Sequence, residues 1–265
     1  MKYDLIALDV DGTLITDEYK LTSRTKEAVR KAAEGGSRIV LCTGRGAIST
    51  LPLLEELGLT GTVITHNGAS TIDSVTRSVI HEFSYPVSEV ESLIRYCRAH
   101  GIHFDVNTAF ELYVDEISEE VKQIYAKYYA TPTAVGDVMQ VREPIAKFCI
   151  AARAHEMDQI LTDWPTIGNE NLQCIRSGNY YLDIIHPSAN KGSALKVLAD
   201  KLGIPSQRVM AIGNYDNDIE MLEFAGLGIA MSNSPDNVKR SAREMTLSNN
   251  EEGVALALEK YCIDE

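Results

Sequence analysis

Positive charge is scarce in this 265-residue chain. It has 25 Lys and Arg against 38 Asp and Glu, a formal net charge of -13 at pH 7. Long-range electrostatics therefore oppose unspecific binding to nucleic acid or an anionic membrane, and neither is expected as a partner. A phosphorylated ligand would need a local cationic pocket against that background. Apolar runs of membrane-span length are also lacking. The opening "MKYDLIALDVDGTL" has an apolar run too short for a signal peptide, and aspartates interrupt it. Cysteine is sparse and dispersed: Cys42, Cys97, Cys149, Cys174 and Cys262 form no C-x-x-C pair. An odd, scattered set reads as reduced core thiols, which points to the cytoplasm and argues against a disulfide scaffold or a thiolate metal site. Internal repeats and low-complexity tracts are absent as well. With 45% hydrophobic and 24% charged residues, the composition is that of a globular protein with one large or two modest domains.

What the sequence does contain is a βα rhythm at both ends. "YDLIALD", "RIVLC" and "TVIT" read as strands, with "SRTKEAVRKAAEGG" and "ISTLPLLEELG" as helices between them. The strands are apolar without strict alternation, as expected where helices cover both faces of a parallel sheet. The rhythm returns with helix "KGSALKVLADKLG", strand "RVMAI", helix "NDIEMLEFAG", strand "LGIAM" and helical segments near Pro235 and Glu251. Between these ends the pattern changes. Helical stretches "VSEVESLIRYCRAHG" and "SEEVKQIYAKYYA" accompany aromatic or alternating strands "FELYVDE", "AKFCIAA", "LQCIRS" and "YYLDIIH". The spacing predicts an α/β core, residues 1–83 and 187–265, interrupted by an inserted α+β domain with an antiparallel sheet, residues 84–186.

In an open parallel sheet, ligands gather beyond the carboxyl ends of the strands. The first strand is followed by "DVDGTL" (Asp9 to Leu14), the second by "TGR" (Thr43 to Arg45), the third by "HNGA" (His66 to Ala69) and a late one by "GNYDND" (Gly213 to Asp218). Lys191 opens the helix that re-enters the core. All of these bring polar or glycine residues to one edge. Asp9 and Asp11 alternate along an extended chain, with Gly12 letting the backbone turn. This suits one carboxylate as nucleophile and the other as general acid and base, and two such carboxylates attract a hard cation such as Mg²⁺. Taken alone, D-x-D-G reads equally well as a turn.

The remaining candidates weigh differently. Lysine is mildly disfavoured at a helix N-terminus, so Lys191 reads as a site residue rather than a solvated first-turn cation. Thr43 can cap the helix after it and still bind a ligand. Arg45 faces either a ligand or surface acids. Asn67 is the better substrate contact beside a structural His66. His100 and His103 lack a third ligand and read as structural.

Together, "DVDGTL", Thr43, Lys191 and "GNYDND", in this order and spacing, resemble the motifs of the haloacid dehalogenase (HAD) superfamily of phosphohydrolases. The "TGR" and "HNGA" segments, with a long insert after the third strand, resemble its Cof-type branch with a C2 cap. The resemblance covers both chain ends. It implies a Rossmann-like core, Mg²⁺ dependence and hydrolysis of a small phosphorylated metabolite, such as a sugar phosphate or a flavin- or pyridoxal-type phosphate, through an aspartyl-phosphate. Carried over, Asp9 attacks phosphorus while Asp11 protonates the leaving oxygen and then activates water. Asp9 and the Asp11 carbonyl hold Mg²⁺ with Asn214 or Asp218. Thr43, Lys191, Arg45, Asn67 and Asn217 serve phosphate or substrate, aided by backbone donors around Gly12 and Gly44. The family usually has an aspartate at the position of Asn214, and an amide oxygen there brings no negative charge, with Asp216 or Asp218 near enough to compensate. The protein is expected to be a monomer or weak homodimer. The competing readings are a non-catalytic phosphometabolite sensor and a phosphosugar phosphotransferase or mutase.

Overall fold

The computed structural model of the chain describes residues 3–126, 130–176 and 180–263. These form two compact units, one of Met1–Arg45, Thr50–His81 and Asn190–Glu265, the other of Gly46–Ser49 and Glu82–Ala189.

The first unit is built on an eight-stranded sheet. Its order is Glu244–Thr246, Leu227–Met231, Val209–Gly213, Leu5–Leu8, Arg38–Cys42, Thr62–Thr65, Ser70–Asp73, Ser78–Glu82. The first six strands are mutually parallel, and Ser70–Asp73 turns back antiparallel to Thr62–Thr65. Every residue of Leu5–Leu8 and Val209–Gly213 is buried, because helices leave neither face to water. Helix Ser23–Glu34 shows the local logic. Thr22 caps its N-terminus by accepting from Thr25 N, and Ala28, Val29 and Ala32 form its buried stripe. Register then aligns the strand ends: Leu8 pairs with both Ile212 and Leu41. The residues that follow, Asp9, Gly213 and Cys42, therefore emerge side by side at the carboxyl edge.

The second unit is an α+β fold around a six-stranded sheet in the order Gln173–Arg176, Tyr181–Ile185, Lys147–Ala151, His103–Asn107, Leu112–Val114, Thr133–Ala134. Its pairs are antiparallel except the last, which is parallel. Alternation divides the sheet's two faces. Phe104, Val106, Phe148, Ile150, Leu182 and Ile184 form a core with helices Glu91–His100 and Ala154–Ile167. His103, Asp105, Asn107, Lys147, Cys149 and Asp183 lie on the opposite face. The predicted helix "SEEVKQIYAKYYA" is observed over Glu119–Ala126, and residues 127–129 of that stretch lie outside the described residues.

Candidate active site

The sheet's carboxyl edge is organised by one buried lysine. Lys191 is the first residue of helix Lys191–Leu202, whose N-cap Asn190 accepts from Ser193 N at 2.7 Å. Its Nζ donates to Asp9 Oδ1 and Asp218 Oδ1, both at 2.6 Å, and its side chain has no exposed surface. Burial alone would discharge such an amine, but Asp218 and Asp9 outweigh it and raise its pKa above the ordinary lysine value. Burial first, and Asp218 second, push Asp9 up to about 7 against the pull of Lys191.

Lys191 reaches this place because of Gly68. Residues 66–68 all adopt left-handed backbone, at φ 52°, 55° and 95°. A Cβ on Gly68 would lie 2.1 Å from the carbonyl oxygen of Asn190. Only glycine therefore lets this turn sit against the start of the lysine's helix. Neither Gly68 nor Thr13 was singled out from the sequence. Thr13 is buried, and its Oγ1 lies 3.0 Å from the Asn214 amide.

The Asn214 amide is the second centre. One of its terminal positions stands 3.0 Å from each of Thr13 Oγ1, Asp9 Oδ2 and the Asp11 carbonyl oxygen. The partners decide which atom occupies it. A nitrogen there has two hydrogens to share among three acceptors, whereas an oxygen accepts from Thr13 and confronts the other two. Gly12 makes room: at φ 77°, a Cβ would lie 2.4 Å from this amide group. Among the described residues no three His, Cys, Asp or Glu side chains gather as a metal cluster. A cation at this edge would instead use mixed oxygens: the Asp9 carboxylate, the Asp11 carbonyl and the Asn214 amide. These fit a small hard divalent ion. Neighbouring oxygens around six-coordinate Mg²⁺ sit about 2.9 Å apart, given metal–oxygen distances of about 2.0–2.1 Å.

Asp218, expected among the metal ligands, meets protein donors with both oxygens. Its Oδ2 accepts from Asn214 N at 2.8 Å and Tyr215 N at 3.0 Å, while Oδ1 faces Lys191. It fixes the loop and the lysine. Asp216 accepts from Asn237 Nδ2 at 2.5 Å, a bond outside the Asp9–Asn214 group.

The remaining candidates divide. Arg45 meets Asp11 with a two-pronged bond, Nε to Oδ2 at 2.8 Å and Nη2 to Oδ1 at 2.6 Å. Thr43 is buried after the second strand, and its Oγ1 accepts from Arg45 N at 3.1 Å. Gly44 lies against the Asn67 amide. Asn217 Nδ2 donates to Asn67 Oδ1 at 2.9 Å, linking the third-strand loop to the late acidic loop. Asp9, Asp11, Thr13, Lys191, Asn214 and Asp218 thus form one bonded group, with Arg45 attached through Asp11. Thr43, Gly44, Asn67 and Asn217 border it through the adjoining loops. His103 and His100 stand apart in the second unit, bonded to the Tyr125 hydroxyl and the Tyr96 carbonyl at 2.9 Å each.

This arrangement has known relatives. The chain is 32% identical over 267 residues to YxeH of Bacillus subtilis (strain 168), covering 98% of this chain and 99% of that one. It is 29% identical over 275 residues to the 5-amino-6-(5-phospho-D-ribitylamino)uracil phosphatase YitU of the same organism, with 97% of each covered. A crystal structure of a haloacid dehalogenase-like hydrolase from Bacteroides thetaiotaomicron superposes with a TM-score of 0.90 at 29% identity, covering 98% of this chain and 99% of that one. A family model described as haloacid dehalogenase-like hydrolase matches residues 6–258, from inside the first strand to inside the last helix, and the chain belongs to that family.

Proposed function

We propose that the chain is a Mg²⁺-dependent phosphatase that hydrolyses a small phosphate monoester through an aspartyl-phosphate. The observation that carries the reading is the buried Lys191 between Asp9 and Asp218, beside a set of oxygens suited to a hard cation. Asp9 attacks phosphorus, and its new O–P bond forms as the bond to the leaving oxygen breaks. Asp11 gives that oxygen a proton, then takes one from the water that attacks the acyl phosphate, releasing inorganic phosphate and restoring Asp9. Lys191 and Thr43 hold phosphoryl oxygens and offset their charge. Asp9, the Asp11 carbonyl and Asn214 would hold Mg²⁺, which would supply positive charge to the phosphoryl group. Asp218 acts through Lys191 and the Asn214 loop as a positioning residue. Arg45 orients the Asp11 carboxyl through its two-pronged bond.

The substrate class follows the relatives. A phosphorylated sugar or ribityl compound is the first choice, since a protein matched over nearly its whole length is a phosphoribitylamino-uracil phosphatase. The test is phosphate release from a panel of phosphorylated metabolites with Mg²⁺, in wild type and Asp9→Asn. Release in wild type that is lost in the variant supports the reading. Binding without release would favour a sensor, and transfer to an added sugar would favour a phosphotransferase.

A further inference from the structure

The Asn214 backbone is pinned, its N–H donating to Asp218 Oδ2 at 2.8 Å. The side chain can still exchange its two terminal atoms by a half-turn about the Cβ–Cγ bond, because amide oxygen and nitrogen are nearly isosteric. We propose that Asn214 is a rotating ligand: its NH₂ group closes the cation-free site by sharing its two hydrogens among Asp9 Oδ2, Asp11 O and Thr13 Oγ1, and cation uptake requires the amide to turn its oxygen inward. The inference rests on the reading of this edge as a divalent-cation site.

Three observations support it. The contested position is 3.0 Å from both prospective ligand oxygens, close to the spacing of adjacent ligands around Mg²⁺. The half-turn moves no other heavy atom. Thr13 suits both states, since a hydroxyl accepts from the nitrogen and donates to the oxygen. In the cation-free state Asp9 is also held on both sides, by Lys191 on Oδ1 and the amide on Oδ2. The cation therefore competes with the protein's own amide. An ionised aspartate at 214 has no hydrogen to donate and would face a carboxylate and a carbonyl at this distance.

The experiment is thermal unfolding without substrate at pH 8, in EDTA and across a Mg²⁺ titration, for wild type and Asn214→Asp. In EDTA the variant should melt about 4–8 °C lower, the scale of one or two uncompensated buried polar contacts in a chain of this size. Mg²⁺ should close the gap, with a midpoint about tenfold lower than in wild type. In wild type, the side-chain ¹⁵N–¹H₂ pair of Asn214, assigned as the pair missing from the variant, should shift as Mg²⁺ is added. Equal melting temperatures in EDTA with equal midpoints overturn the proposal. A Mg²⁺ response in both proteins with an unmoved amide pair overturns the rotation and leaves the cation site standing. No response to Mg²⁺ or Mn²⁺ by melting or NMR overturns the cation reading and the rotation with it.

Discussion

Each unit sets a lysine against carboxylates, but the two lysines are held very differently, Lys191 buried and Lys147 partly exposed. In the first unit, Lys191 makes two bonds of 2.6 Å, and each carboxylate it meets has other partners on its second oxygen. In the second, Lys147 stands 3.3 Å from Asp183 Oδ1 in poor alignment, so that this oxygen accepts no hydrogen bond. Asp105 nearby takes its bonds from the Tyr125 hydroxyl, at 2.6 Å, and from Asn107. The first cluster is fully satisfied around one point, while the second has a buried acceptor to spare. A preorganised site needs the first kind of packing, because transition-state charge is stabilised only by groups already in place.

The comparison breaks first at the nucleophile. Asp9→Asn keeps the side chain's shape while removing the attacking charge, so phosphate release should fall by roughly 10⁴-fold or more with folding retained. Wild-type turnover in this variant, measured beside its circular dichroism, would remove the first cluster's claim to the chemistry. Asp11→Asn should cost about 10²–10⁴-fold, since proton transfer is lost but attack is not. The loss should be larger for alkyl than for aryl phosphates, whose leaving groups depart without a proton. Equal losses on the two substrate types would take the acid's role from Asp11.

The lysines themselves sharpen the contrast. Lys191→Met strips the cation from two buried carboxylates and should lower unfolding free energy by roughly 3–5 kcal/mol. Lys147→Met removes one poorly aligned ion pair and should cost about 1–2 kcal/mol, less than the roughly 1.5–3 kcal/mol of a well-formed hydrogen bond to a charged group. Urea unfolding of both variants measures this directly. A Lys147 variant as damaged as the Lys191 one would mean that the second cluster is as tightly specified as the first.

Much of the first unit was legible because its chemistry sits in short runs after apolar strands. "DVDGTL" and "TGR" announced themselves as strand ends, and Lys191 stood out as a cation at a helix start. What was not legible depends on contacts across the chain. Gly68 matters only because the Asn190 carbonyl passes 2.1 Å from where its Cβ would be. The hydrogen bonds of Asp218 were hidden too, because the lysine and two amides that use its oxygens are set by the fold. In the second unit, strand His103–Asn107 went unread since its polar residues 103, 105 and 107 point to a buried polar face, leaving two apolar residues as signal. Helix Ala154–Ile167 was hidden by Pro165 and by a stripe with only Met157 and Ile160 fully buried.

The smallest expected effect belongs to the second cluster and is a dependence on pH. Burial raises the Asp105 carboxyl above its ordinary value of 3.8, against the opposing pull of Tyr125, Lys147 and His103. Burial lowers His103 below 6.5, against the opposing charge of Asp105. The signs differ. A raised acid holds its proton longer folded than unfolded, so Asp105 contributes stability that is complete below about pH 4 and fades as pH rises through its folded value. A depressed histidine contributes stability that is present above about pH 6.5 and fades as pH falls through its folded value. Between about pH 4 and 6.5 the two oppose each other, and wild-type stability should vary little with pH through this pair. Asp105→Asn leaves an acceptor for Tyr125 but takes no proton, so the His103 effect is uncovered. Relative to wild type, the variant should gain stability toward pH 7.5 and lose that advantage toward pH 4.5. Urea unfolding free energies at pH 4.5, 6 and 7.5 test it. A wild-type-to-variant difference that stays constant across the three would mean that Asp105 does not titrate in this range and that the opposition described here is absent.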